Sequence, residues 1–258
     1  MDRYNISFAG AGRVGSAICS ELFKAGFKID MVVTRNEKSG SYLARSCNAE
    51  WSSNLDFPGT TDIIIVAVPD HQLHLVLDNL KCNPGALVAH TAGSYGLDIF
   101  PENFLNKGII YPLQTFSTGR KVTFTDLPFF IESSDQRSAA MLENIVLSVG
   151  GKVYETDTES RKLMHLSAVF ACNFTNHMLT AGKSIAVKAG FSFDILLPLI
   201  NETISKAILM SPENSQTGPA IRNDSNTMEK HMELLSFSPE LKTVYRDITE
   251  SIIKYYKK

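Results

Sequence analysis

Two rhythms of apolar and polar residues divide the chain. Up to about residue 155, short apolar and β-branched blocks alternate with stretches whose apolar residues recur at helical spacing. The blocks Asn5 to Ala9, Ile29 to Thr34, Asp62 to Val68, Ala86 to Ala89, Gly108 to Tyr111, Phe129 to Ile131 and Lys152 to Glu155 predict strands. Between them, helices are expected over Arg13 to Ala25, around Gly40 to Cys47, over His71 to Leu80 and over Gln136 to Val149. The run from Ile63 to Val68 is apolar without alternation, the mark of a strand covered on both faces of a parallel sheet.

The rhythm changes at Thr156. Thr156-Asp-Thr-Glu159 fits a capping box, and from there to about Ala189 only Gly182 interrupts a helical pattern. Such a helix of roughly 30 residues would span about 45 Å. Further helices are expected over 193–210, 226–235 and 239–256, the last opening on Ser238-Pro239 as N-cap and first helical residue. The pattern predicts an α/β fold, a doubly wound, mostly parallel Rossmann sheet over residues 1–155, followed by an all-α domain over 156–258.

Composition narrows the partners. Hydrophobic residues make up 44% of the 258 residues and charged residues 20%, enough apolar material for a packed core. The net charge of −2 provides no field for nucleic acid or anionic membrane. The apolar runs fall far short of the roughly 20 residues of a spanning helix. Cys19, Cys47, Cys82 and Cys172 form no Cys-x-x-Cys pair and read as reduced thiols of a cytoplasmic protein. No spacing of His, Cys, Asp and Glu matches a metal site, and no Gly-x-Ser-x-Gly elbow suggests acyl transfer.

Chemistry enters with Gly10-Ala11-Gly12-Arg13-Val14-Gly15, a Gly-x-Gly-x-x-Gly loop between the first strand and the first helix. Gly10 permits the tight turn, Gly12 lets a pyrophosphate approach the backbone, and Gly15 lets helix and strand pack closely. The next strand ends in Thr34-Arg35, where an NAD-binding fold would carry a carboxylate for the ribose. A hydroxyl followed by a guanidinium fork suits a 2′-phosphate, so NADP is the expected cofactor. Val68-Pro69 and His90-Thr91 end later strands and are expected in the same crevice.

The loop Gly10 to Gly15, the turn Ala67-Val-Pro-Asp70 and the stretch His90-Thr-Ala-Gly-Ser94 resemble the 6-phosphogluconate dehydrogenase-like superfamily, which includes pyrroline-5-carboxylate reductase. Three further segments, Tyr111 to Phe116, His165 to Asn173 and Thr217 to Asp224 with His231, are similar to a Rossmann-like bacterial family whose C-terminal domain has no assigned function. The resemblance spans nearly the whole chain. It implies NADP oxidoreductase activity on an unspecified substrate, a helical domain that forms a homodimer, and a site in the cleft between the domains. Members of that family commonly carry His where this chain has Tyr111; a tyrosine hydroxyl could replace it as a donor.

A hydride transferase needs a proton donor for the developing oxyanion or amine. Related dehydrogenases use Lys and Asn from the first helix of the second domain; the equivalent helix here offers His165 and Asn173, with His177 one turn on. At about 100° per residue, Asn173 lies roughly 80° round from His165 and His177 a further 40°, so all three can face one cleft. Imidazole exchanges protons near neutrality, which makes His for Lys chemically tolerable. Arg222 could clamp a substrate carboxylate, or simply pair with Asp224 beside a helix cap at Asn226. The expectation is an NADP-dependent oxidoreductase acting on a small polar, carboxylate-bearing substrate; the alternative is an NADP-binding sensor without catalysis.

Overall fold

The computed structural model describes residues 3–117 and 119–257. It contains two compact units, Met1–Asn173 and Phe174–Lys258. The first is built around one eight-stranded sheet, in the order β3-β2-β1-β4-β5-β6-β7-β8. The strands are β1 Asn5–Ala9, β2 Lys28–Val33, β3 Glu50–Ser52, β4 Ile63–Val66, β5 Leu87–His90, β6 Lys107–Pro112, β7 Pro128–Ser133 and β8 Lys152–Glu155. All neighbours run parallel except β6 and β7, which pair antiparallel from Gly108 opposite Ser133 to Pro112 opposite Phe129. The first six strands follow the doubly wound Rossmann order, whose reversal between β1 and β4 opens a crevice at their carboxyl ends.

Alternate residues of the central strands serve opposite faces. Ile6, Phe8, Ile63, Ile65, Leu87 and Ala89 pack in one cluster with Ile18 and Leu22 of α1 (Arg13–Lys24) and Leu43 of α2 (Glu37–Ser46). Leu142 and Ile145 of α4 (Gln136–Ser148) join the same cluster. Ala9, Ile64, Val66 and Val88 face the other way, against Leu73 and Leu77 of α3 (Leu73–Asn79) and against Phe100 and Phe104. Ile63, Ile64 and Ile65 are fully buried, which is why β4 shows no alternation in sequence. Each such side chain contributes about 1.5–3 kcal/mol by leaving water.

Beyond β8, α5 (Thr158–Ala168) runs into a wider π turn over Val169–Phe174, and α6 (Thr175–Lys188) continues. The expected long helix is therefore present with a change of pitch inside it, and the division between compact units falls at that turn. Its N-cap is Asp157, whose carboxylate accepts from Ser160 N at 2.7 Å, so the capping box expected at Thr156 is not the one that forms. A carboxylate at this position satisfies an unpaired N–H and also meets the positive end of the helix dipole.

The second unit comprises α6, α7 (Leu197–Met210), the short α8 (Pro212–Ser215), α9 (Ser225–Leu234) and α10 (Pro239–Tyr256). Asp224 caps α9 by accepting from Thr227 N at 3.1 Å, which takes the role expected of Asn226. His231 Nδ1 lies 2.8 Å from Tyr245 Oη, joining α9 to α10. None of the residues of α6, α7, α9 or α10 is buried.

Candidate active site

Between the carboxyl ends of β1, β2 and β4 lies a cleft of about 660 Å³. Its floor is the loop Gly10 to Gly12 and the facing Ala67 to Pro69; its outer wall is Thr34, Arg35, Asn36 and Ser39. The three glycines do three different jobs. Gly10 has φ +108, and a Cβ there would lie 2.3 Å from the Ala67 carbonyl oxygen. At Gly15 a Cβ would lie 2.5 Å from the Gly10 carbonyl oxygen, so this position sets how closely α1 approaches the turn. A Cβ at Gly12 would meet nothing nearer than Ala67 O, at 4.0 Å. That glycine is not required by packing; it leaves backbone open to the cleft at the start of α1, where a diphosphate would meet unpaired N–H groups.

The outer wall fits the 2′-phosphate end of NADP. Arg35 Nη2 donates to Gln72 Oε1 at 2.7 Å across the cleft, leaving other guanidinium N–H groups for an anion. Thr34 Oγ1 donates to Asn36 O at 2.8 Å and accepts from Trp51 Nε1 at 3.2 Å, so the hydroxyl mainly shapes the turn. Asn36 caps α2 through Ser39 N, and Ser39 Oγ also faces the Asn36 carbonyl at 3.2 Å. Leu55, Leu75, Val76 and Asn79 complete a largely apolar recess beside this wall, of the kind an adenine ring occupies.

A second constellation lies at the ends of β5 and β6. Tyr111 Oη is 2.9 Å from His165 Nδ1, with the rings edge to face at 84°. The two rings close over Gly93, where a Cβ would lie 2.9 Å from His165 Cγ and 3.0 Å from Tyr111 Cε2. Burial pushes the Tyr111 phenol above its usual range, with Arg161 pulling it down and Asp70 raising it further. The phenol therefore stays protonated and serves His165 as a hydrogen-bond partner rather than as an anion. Ser94 Oγ hydrogen-bonds the carboxylate of Asp70, the residue that follows Pro69, so the turn after β5 is tied to the edge of the cleft.

The family model described as NADP oxidoreductase coenzyme F420-dependent matches residues 5–92, and the Domain of unknown function (DUF2520) model matches residues 127–252. A Bacteroides fragilis protein described as a "putative NADP oxidoreductase" is 36% identical, with 98% of each chain covered and a TM-score of 0.88. The chain belongs to this family of NADP oxidoreductases. The Thermotoga maritima protein TM1727 is 23% identical over 98% of this chain and all of its own (100%), with a TM-score of 0.78. A reductive aminase from Aspergillus terreus, in complex with NADPH and ethyl-5-oxohexanoate, shares the fold at 14% identity. It covers 98% of this chain and 95% of its own, with a TM-score of 0.74. No curated protein matches the chain.

Within this family member, the structure sorts the residues expected from sequence. Gly10, Ala11, Gly12, Thr34, Arg35, Val68 and Pro69 line the cleft. Arg13, Val14, Gly15 and Thr91 do not; Arg13 Nη1 instead donates to Phe116 O at 3.2 Å, and Thr91 N donates to Val66 O at 3.1 Å. The expectation of a cofactor contact from His90 gives way. Its side chain is fully buried, stacked on Phe100 at 5.4 Å, and its Nδ1 accepts from Ala92 N at 3.2 Å. Burial is the main reason the imidazole is pushed down to about 4, so it is a neutral structural acceptor.

Tyr111 and His165 come together as described. Asn173 lies exposed in the π turn, where the wider pitch invalidates the ideal-helix angle that placed it beside His165. His177 on α6 and Arg222 before α9 are exposed residues of the second unit. Asn36, Ser39 and Gln72 were not anticipated; a cap signature at Asn36 followed by Ser39 was the available signal. Arg161 was also missed, and nothing in its local sequence separates it from a solvated helix residue.

Proposed function

We propose that this oxidoreductase binds NADP in the glycine-loop cleft and transfers a hydride to or from a small polar substrate, with the Tyr111–His165 pair handling the proton. The substrate class proposed is a small carboxylate-bearing carbonyl, imine or hydroxy acid. The observation that carries the reading is the hydrogen-bonded Tyr111–His165 pair at the end of β6, over the Gly93 turn that is linked through Ser94 and Asp70 to the cleft edge.

The bound nicotinamide supplies the hydride. The protein supplies placement and the proton. The loop Gly10 to Gly12, ahead of α1, holds the diphosphate, while Arg35, with Asn36 and Ser39 beside it, takes the 2′-phosphate. In the protonated imidazole, Nδ1–H donates to Tyr111 Oη and Nε2–H is the proton to be given. After transfer the neutral ring keeps Nδ1–H on the tyrosine, and Nε2 can act as base for the reverse reaction.

The same proposal includes a homodimer through the helical unit. Leu199, Ile208 and Leu209 of α7 are 65%, 78% and 82% exposed, and exposed apolar side chains gathered on one helix mark an interaction surface. Among the described residues no helix is long and apolar enough to cross a membrane.

The test is NADPH oxidation against a panel of keto acids, with and without amines, and cyclic imines. Turnover that survives His165→Ala undiminished would remove His165 from the chemistry. A sensor without turnover is the second reading, favoured by one fact: Lys162, the lysine of α5 nearest His165, is solvent-exposed and paired with Glu159 at 3.0 Å. NADPH binding with no oxidation across the panel would support that reading.

A further inference from the structure

Arg161 is a fully buried charged side chain, 0% exposed. Its Nη1 donates to Gly93 O at 2.9 Å, and its Nη2 donates to Tyr95 O at 2.8 Å and to Glu132 Oε2 at 2.8 Å. Glu132 lies near the end of β7, and its other oxygen accepts from Thr158 Oγ1 at 2.6 Å, on the first residue of α5. One guanidinium thus joins three parts of the fold: the turn after β5, the end of β7 and the start of α5.

Stability alone is a weak account of this arrangement, because buried ion pairs are commonly replaced by apolar residues at no loss of stability. What the guanidinium holds is more telling. Gly93 and Tyr95 flank Ser94, which reaches Asp70. Gly93 is the residue over which His165 and Tyr111 close. His165 stands one helical turn after Arg161, on the same face of α5. The distance from the Gly93 turn to the His165 ring is therefore set at one end by the Arg161 hydrogen bonds and at the other by contact with the glycine.

We propose that Arg161 is a positioning residue: by locking the Gly93–Tyr95 turn to α5, it holds the Tyr111–His165 pair in a single geometry. This rests on the reading of that pair as the proton-handling group. Lysine cannot substitute, since a single ammonium lacks the planar fork that reaches two carbonyls and a carboxylate together. The nearby positive charge also opposes the effect of burial on the Tyr111 phenol.

Two variants of the full chain test it. Arg161→Met/Glu132→Leu removes both charges and leaves no unpaired ion; Arg161→Lys keeps the charge and loses the fork. The measurements are the ring ¹⁵N chemical shifts of His165, NADPH affinity by fluorescence, and kcat and KM on a substrate found in the panel. The expected result is a folded protein that binds NADPH as the parent does, with mixed His165 tautomers, and kcat lowered by about 10- to 100-fold at little change in KM. An unchanged His165 spectrum and kcat in either folded variant overturns the proposal; if the double variant does not fold, Arg161→Lys decides. If the parent binds NADPH but turns over nothing while the His165 spectrum still changes, the positioning role stands and the functional reading falls.

Discussion

The tightest test of the site geometry is Gly93→Ala. A Cβ at this position would stand 2.9 Å from His165 Cγ and Nδ1 and 3.0 Å from Tyr111 Cε2. Carbon atoms in contact prefer about 3.5–4.0 Å, so the two rings must yield by roughly 0.5–1 Å. Neither can do so freely, because they are hydrogen-bonded to each other at 2.9 Å and the turn beneath is held by Arg161. Overpacking of this size costs about 1–3 kcal/mol, which lowers the melting midpoint by about 2–12 °C. A displacement near 1 Å at the reacting groups lowers kcat by up to about 100-fold. Gly93 does not line the cofactor cleft, so NADPH affinity should hardly move. Gly12→Ala is the counterpart: its Cβ meets nothing nearer than 4.0 Å, so the midpoint stays while NADPH affinity collapses. Differential scanning fluorimetry with fluorescence titration separates the two signatures. A Gly93→Ala protein with parental midpoint and parental kcat would refute the close packing of the pair.

Three further outcomes follow from other parts of the molecule. His90 is buried with its imidazole pushed down from 6.5 to about 4. The unfolded chain binds the extra proton first, so this stabilisation is complete above about pH 6.5 and roughly 3 kcal/mol is lost as pH falls to about 4; His90→Leu should flatten that acid limb in denaturant titrations. Arg35→Ala should weaken NADPH binding by about 10- to 100-fold through loss of a charge-assisted contact, and leave NADH nearly unaffected, by calorimetry. Ile208→Asp, on the exposed face of α7, should shift a dimer toward monomer in sedimentation velocity; an unshifted dimer would place the interface elsewhere.

The glycine-loop cleft was legible because its signals are local. A glycine loop between strand and helix encodes its own backbone geometry, and Arg35 follows the strand that delivers it to the cleft. The Tyr111–His165 pair was legible only in part. Tyr111 and His165 were each visible, but their pairing across 54 residues was not. Arg161 reads as an ordinary helix arginine because its burial is decided by partners 29, 66 and 68 residues away. His90 was misplaced because β5 is buried on both faces, which removes the alternation that would tell inward from outward. The strand β3 is three residues long, too short for a period to show, and the π turn adds a residue without breaking the apolar pattern around it.

The boundary of the first compact unit at Asn173 has a dynamic consequence. The glycine loop, the Gly93 turn, Arg161 and His165 belong to one compact unit, and the expected outcome is that they open together, on the slow timescale of the sheet. Helices α6 to α10 carry no buried residues apart from the neighbouring Ala220 and Leu235, and nothing comparable holds them closed. Amide exchange should then divide near residue 173: slow through α5 and the strands, fast beyond it unless a second chain covers those helices. In that picture the chemistry is preassembled within the protected block, and its geometry survives fluctuations of the helical remainder.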